Sequence, residues 1–218
     1  MITTYNLKAS GDILVIILEP NAATQSVTTK GAVTCIKNIE TGETTGFNIA
    51  GIGDKLGLTK QSGPVNLSDE QINIINDEIE KAGFKAELTT SESKLVVGRV
   101  QRMTPHPDSD HLHVTITEVG KGKTLQIVSG SPNMQVGIKV AVAQPGTMMP
   151  SGALIWSGEL RGVASSGMIV SGRELQLPGA PEKPGALVLP ENFGEVGEPF
   201  DFKQAQSLYT SGLVDTNY

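Results

Sequence analysis

The sequence predicts an α+β module followed by an all-β barrel, and three observations carry that expectation. One capped amphipathic helix falls before residue 90, beside strands rich in Ile and Val. After about residue 94 the pattern is all strand and turn. The chain of 218 residues holds 25 Gly and 12 Pro, the punctuation of a strand-rich fold. That length suits one or two domains and sustains a core without disulfides or metal.

In the first module, Asp12 to Glu19 and Gly31 to Ile39 read as strands. Thr41-Gly42 reads as a turn, with Thr44 to Ile49 returning as a hairpin. Ser68 followed by Gln71 is a capping box, because each side chain can satisfy the other's orphan backbone donor. Ile72, Ile75 and Ile79 follow at helical spacing, and Gly83 supplies the stop. That stripe is core or interface packing, and Cys35 is a small buried hydrophobe. Residues 86–94 are polar and aperiodic, so they read as a linker.

Beyond it, strands are expected over Leu95 to Met103, His111 to Val119, Leu125 to Val128 and Val140 to Ala143, with a helical turn over Pro132 to Val136. Short strands at this spacing suit a five-stranded Greek-key barrel of the OB-fold type. The expected domains are therefore an α+β module of unassigned role over 1–90, an OB-fold barrel over 91–202, and a flexible tail over 203–218.

Charge is unevenly placed. Residues 1–90 carry a net −4, residues 94–175 a net +3 and residues 176–218 a net −4, within a total of −6. Local sign decides whether a patch attracts phosphate, so a mildly basic block between acidic ones keeps nucleic acid open as a partner. One cysteine cannot form an internal disulfide, which fits a reducing compartment. The longest early apolar run, Ile13 to Leu18, is too short to span a membrane, and no cleavable leader pattern surrounds it. A cytoplasmic protein with no membrane partner is expected.

Leu160 to Leu175 is the densest stretch of binding chemistry. It sets two arginines, three serines and three glycines among apolar anchors. Guanidinium groups suit phosphate oxygens, while hydroxyls and glycine-exposed amides suit a ribose-phosphate chain. Between residues 94 and 175 stands one Trp, Trp156, with no Phe or Tyr. A generic single-strand binder stacks bases on aromatics, so this composition argues for backbone and 2′-OH contacts to a folded RNA.

Five motifs then occur in order: His106-Pro107-Asp108-Ser109-Asp110-His111-Leu112; Leu125 to Asn133; Gly137 to Val140; Pro145-Gly146 with Pro150-Ser151-Gly152; and Leu160 to Leu175. Over roughly residues 94–200 this resembles the tRNA-binding domain of YtpR-type proteins. It is similar to the domain near the N-terminus of the phenylalanyl-tRNA synthetase β subunit, to the C-terminal domain of bacterial methionyl-tRNA synthetase, and to free-standing structure-specific tRNA-binding proteins. The module ahead of it points to the YtpR type. The resemblance implies an OB fold that recognises tRNA by shape without catalysis or cofactor, and it implies self-association as a homodimer. It places Ser165, Met168 and Ser171 on an RNA-facing strip. Arg161, Arg173 and Lys139 join them as phosphate holders on charge. His111, Ser129 and Ser166 depart from the pattern, where a cation, a cysteine and an acidic residue are common.

Two other functions stay open: a protein-interaction module docking an aminoacyl-tRNA synthetase or other partner, and an enzyme acting on aminoacyl-tRNA through the first module. Other motifs read blandly. His106, His111, His113, Asp108 and Asp110 are metal-ligand types without a standard spacing, and a local Asx turn explains the carboxylates. Gly122-Lys123-Thr124 lacks the upstream glycine of a phosphate loop. Gly51, Gly53 and Gly57 miss the dinucleotide spacing, and no nucleophile elbow surrounds Ser165. Met148-Met149 reads as core filler, and Arg161 and Arg173 can also pair with Glu159 and Glu174.

Overall fold

The computed structural model describes residues 1–90 and 92–217. Ser91, inside the expected linker, and Tyr218, at the end of the expected tail, lie outside them. The chain divides into two compact units, Met1–Ser91 and Glu92–Tyr218. It is mostly β, with antiparallel sheets and few helices among the described residues.

Unit 1 contains β1 (Ile2–Asn6), α1 (Leu7–Ser10), β2 (Ile13–Ile17), β3 (Gln25–Lys30), β4 (Val33–Asn38), β5 (Thr44–Ala50), α2 (Gly53–Leu56), β6 (Ser62–Pro64) and α3 (Asp69–Lys81). The strands form one antiparallel sheet in the order β3-β4-β5-β2-β1-β6. Alternation fixes which face is buried: Leu14 and Ile16, Val33 and Cys35, and Phe47 and Ile49 enter the core with Ile72, Ile75 and Ile79 of α3. Burying each isoleucine contributes roughly 1.5–3 kcal/mol, so the stripe holds α3 more firmly than helix propensity does. The capping box forms at both bonds: Gln71 N donates to Ser68 Oγ at 3.3 Å and Ser68 N to Gln71 Oε1 at 2.9 Å. Gly83 takes φ +72° just past the helix, and Phe84 N donates to Ile79 O at 3.1 Å. The first part of the expected linker is packed on unit 1. Leu88 is buried, and its N–H and carbonyl both bond the Asn76 side chain.

Unit 2 contains β7 (Leu95–Pro105), β8 (His113–Glu118), β9 (Thr124–Ser129), β10 (Lys139–Ala143), β11 (Thr147–Met148), β12 (Leu154–Ile155), β13 (Ser157–Leu160), β14 (Val163–Ser166), β15 (Met168–Ile169), β16 (Val188–Leu189) and α4 (Phe202–Ala205). The main ladder runs β15-β10-β7-β8-β9, with β16 also on β10. Three expectations are corrected here. The ladder does not close into a barrel: β9 and β15 are its unpaired ends, and β9 meets β14 through side chains instead. Pro132 to Val136 forms turns, not a helical turn. The expected loose tail from residue 203 is packed. Ala205, Leu208 and Val214 are buried in the same cluster as Leu187, Phe193 and Phe200, and the Tyr209 ring covers Gly172 so closely that a Cβ there would clash.

This packing follows from β10, which is buried along its whole length. Val140 and Val142 face one cluster with Val96, Val100 and Ile127. Ala141 and Ala143 face the other, which the C-terminal segment covers. A strand buried on both faces needs two covers, and residues beyond 175 are the second.

Candidate nucleic-acid interface

The β13–β14 hairpin is the framework of the site. Its central residues, Arg161 and Gly162, take φ +48° and +76°, the left-handed pair that a tight hairpin turn requires. Glycine adopts that conformation freely, whereas arginine does so at about 1–2 kcal/mol. The 106–112 loop braces the turn. His106 is buried; its Nδ1 accepts from Asp108 N at 3.0 Å, and its Nε2 lies 3.0 Å from Leu160 O. A carbonyl only accepts, so Nε2 carries the proton and the neutral tautomer is fixed. Arg161 Nη1 donates to Asp108 O at 3.0 Å, closing the loop onto the turn. With both ring nitrogens committed, His106 is a structural brace, and no metal-holding cluster occurs among the described residues. The exposed Asp110 carboxylate meets His111 Nδ1 at 2.9 Å, and that hydrogen bond holds it below the usual carboxylate range.

The structure brings some of the expected residues together and separates others. Ser165, half-buried on β14, accepts from Val128 N at 3.1 Å and donates to Gly167 O at 3.4 Å, so it stitches the hairpin to the free edge of β9. Gln126 adds a second stitch to Ala164 O at 2.8 Å. Met168 is half-buried against the core, and Met149 is fully within it. Arg173 is exposed and donates to Glu182 O at 3.1 Å. Neither Arg161 nor Arg173 makes the neighbouring glutamate pair that spacing allowed; Glu174 instead bonds Ser171.

Two expected site residues are structural. Lys139 is 3% exposed, and its ammonium donates to Glu191 O at 2.6 Å and Gly194 O at 2.7 Å. Ser171 is 8% exposed, with its hydroxyl and N–H both donating to Glu174 Oε2. Burial with satisfied donors removes both from any ligand surface.

One cation was missed. Arg102 is exposed on β7, and its guanidinium makes no hydrogen bond or ion pair among the described residues. It stands opposite Ile116, which stands opposite Gln126, so the three form one row on the outer face of β7-β8-β9. Arg99 is spent differently: it forks onto Glu191 at 3.2 and 2.7 Å, which pushes the guanidinium up and the carboxyl down from their ordinary values. Lys121 is likewise paired, with Glu92. Arg102, Arg161 and Arg173 therefore keep charge available at the surface.

Comparison with known proteins fits both units. A Bacillus subtilis (strain 168) protein named "Putative tRNA-binding protein YtpR" is 44% identical over 200 residues, covering 91% of this chain and 98% of that protein. The chain belongs to the YtpR family. Within this YtpR-type chain, residues 95–199 match the family described as "Putative tRNA binding domain", and residues 20–91 match "Domain of unknown function (DUF4479)". The phenylalanine–tRNA ligase beta subunit of Ralstonia nicotianae is 47% identical over 105 residues, 46% of this chain and 13% of that subunit. The corresponding subunit of Prochlorococcus marinus is 39% identical over 137 residues, 60% of this chain and 17% of that one. The YtpR-type chain thus shares one region with these synthetase subunits, a small part of their length.

Proposed function

We propose that this protein binds folded tRNA, without catalysis, through unit 2. The observation that carries the reading is 44% identity over 91% of the chain with a protein named for tRNA binding. The geometry supports a mechanism. β7 to β10 with the docked hairpin act as an open OB-type barrel, and Arg102, Arg161 and Arg173 engage phosphates along a pre-shaped RNA surface. Polar groups at the rim of the β9–β14 seam reach sugar hydroxyls. The scarcity of aromatics on this region supports shape over base stacking. Lys139 and Ser171 are left out, and Ser165 acts mainly by positioning the hairpin.

A filter-binding titration with native tRNA, the same tRNA heat-denatured, and increasing salt tests this. Salt-sensitive preference for the native form is expected, and with about four phosphate contacts the slope of log K against log salt is about −3. Equal affinity for both forms, or none, overturns it. The reading includes a cytoplasmic homodimer, whose paired sites would raise avidity, and sedimentation with and without tRNA checks that state. The region shared with synthetase β subunits favours one second reading, docking to a protein partner. Salt-independent association with a synthetase, in place of tRNA binding, would support it.

A further inference from the structure

Unit 1 has no assigned chemistry, yet it contains a cavity of about 370 Å³ lined by cations and no carboxylate. Its net charge is −4, so convergence of three of its seven lysines on one cavity runs against the charge of the unit. The construction follows from register. Thr28 stands directly opposite Cys35 on the β3–β4 pair, and these two line the cavity between Lys30 on one strand and Lys37 on the other. Residues two apart on a strand share a face, which puts Lys30 on the side of Thr28, and Lys37, just past the bulge between Ile36 and Lys37, lines the same cavity. The segment that leaves α3 supplies the remaining wall, Gly83 to Lys85.

Lys30 is held in place. Its Nζ donates to Gly83 O at 3.2 Å and lies 4.7 Å from the centroid of the Phe84 ring, whose face attracts cations. Phe84 is itself set edge-on against the core residue Phe47, with centroids 6.3 Å apart. One proton of the ammonium is committed and two remain. Lys37 and Lys85 are exposed, and their ammonium groups have no hydrogen bond or ion pair among the described residues. Like charges gathered without counterions are destabilising unless an anion joins them.

We propose that this cavity is a binding site for a diphosphate group. A phosphomonoester carries about −1.5 to −2 at pH 7, so three ammonium groups match a diphosphate better than a single phosphate. The volume lies at the lower end of small-molecule sites, which run from about 300 to 1,000 Å³. The Thr28 hydroxyl adds a neutral donor. The proposal does not rest on the tRNA reading, because it concerns residues of unit 1 alone.

Isothermal titration calorimetry of the full chain with inorganic pyrophosphate, ADP and sulfate at matched ionic strength tests it. Saturable binding of pyrophosphate is expected, at least tenfold tighter than sulfate. ADP separates the two sources of the group: affinity equal to or above that of pyrophosphate supports a nucleoside diphosphate, and exclusion of ADP supports the free anion. The double variant Lys37→Glu, Lys85→Glu alters only exposed side chains and should weaken binding at least tenfold at an unchanged unfolding midpoint. If it fails to fold, Lys37→Gln with Lys85→Gln replaces it. Shifts of the Gly83 and Phe84 amide resonances on titration should localise the anion. Absence of saturable pyrophosphate binding, binding as tight in the variant, or sulfate binding equally well would each overturn the assignment.

Discussion

Arg161 sits at a backbone angle that disfavours it, next to a glycine that would suit the turn better. An arginine kept there at a cost of about 1–2 kcal/mol points to a use for its charge. Arg161→Gly should therefore change unfolding free energy by less than about 1 kcal/mol while weakening tRNA binding about tenfold, the loss of one charge-assisted contact. Arg102→Glu should likewise weaken tRNA binding and reduce the salt slope by about 1, with the unfolding midpoint unchanged. Unaltered affinity in both would remove the β7–β9 face and the turn from the interface. His106 gives a separate check, because nitrogen chemical shifts should find its proton on Nε2. Of these residues, sequence exposed Arg161 readily, within a strip dense in donors. It misplaced Lys139, whose partners Glu191 and Gly194 lie some fifty residues away, a distance no local pattern carries. It passed over Arg102 because a lone cation in an alternating strand looks like any solvated side chain.

Among the elements, those with a period or a cap were legible. The α3 capping box, its isoleucine stripe and its glycine stop are all local signals, and all three form. β3 was missed because every one of its residues is exposed, so it has no alternation to read. The open ladder of unit 2 was read as closed, since strand spacing says how many strands there are and nothing about whether the last two pair. Gly120 and Gly197 make an element-scale prediction. Both have positive φ, +92° and +95°, and their backbones touch where the β8–β9 turn meets the segment before β7's partner Pro199. A methyl group has no room at either position. Gly120→Ala should destabilise unit 2 by about 2 kcal/mol or more, measured by urea unfolding, because neither the angle nor the neighbouring backbone can yield cheaply.

Across the whole molecule, acid should weaken the fold in a predictable window. Arg99 holds the Glu191 carboxyl low, and Lys55 and Lys81 hold Glu78 low. A carboxylate with a depressed pKa in the folded state stabilises above its ordinary range, near pH 4, and loses that contribution as pH falls through the depressed value. The thermal midpoint should therefore be steady from pH 7 to 5 and fall below about pH 4; a midpoint that rises on acidification would contradict the pairing. The two-faced burial of β10 also governs the order of events during synthesis. One side of that strand packs largely on residues from β7 to Met134, already made when β10 appears, and Ile169 and Ala186 join it later. The other waits for Phe193, Phe200, Leu208 and Val214. At a translation rate of roughly 5–20 residues per second, the roughly 70 residues between Ala143 and Val214 leave a greasy flank bare for about 4–14 s, the interval in which a nascent chain most needs shelter from its neighbours on the polysome.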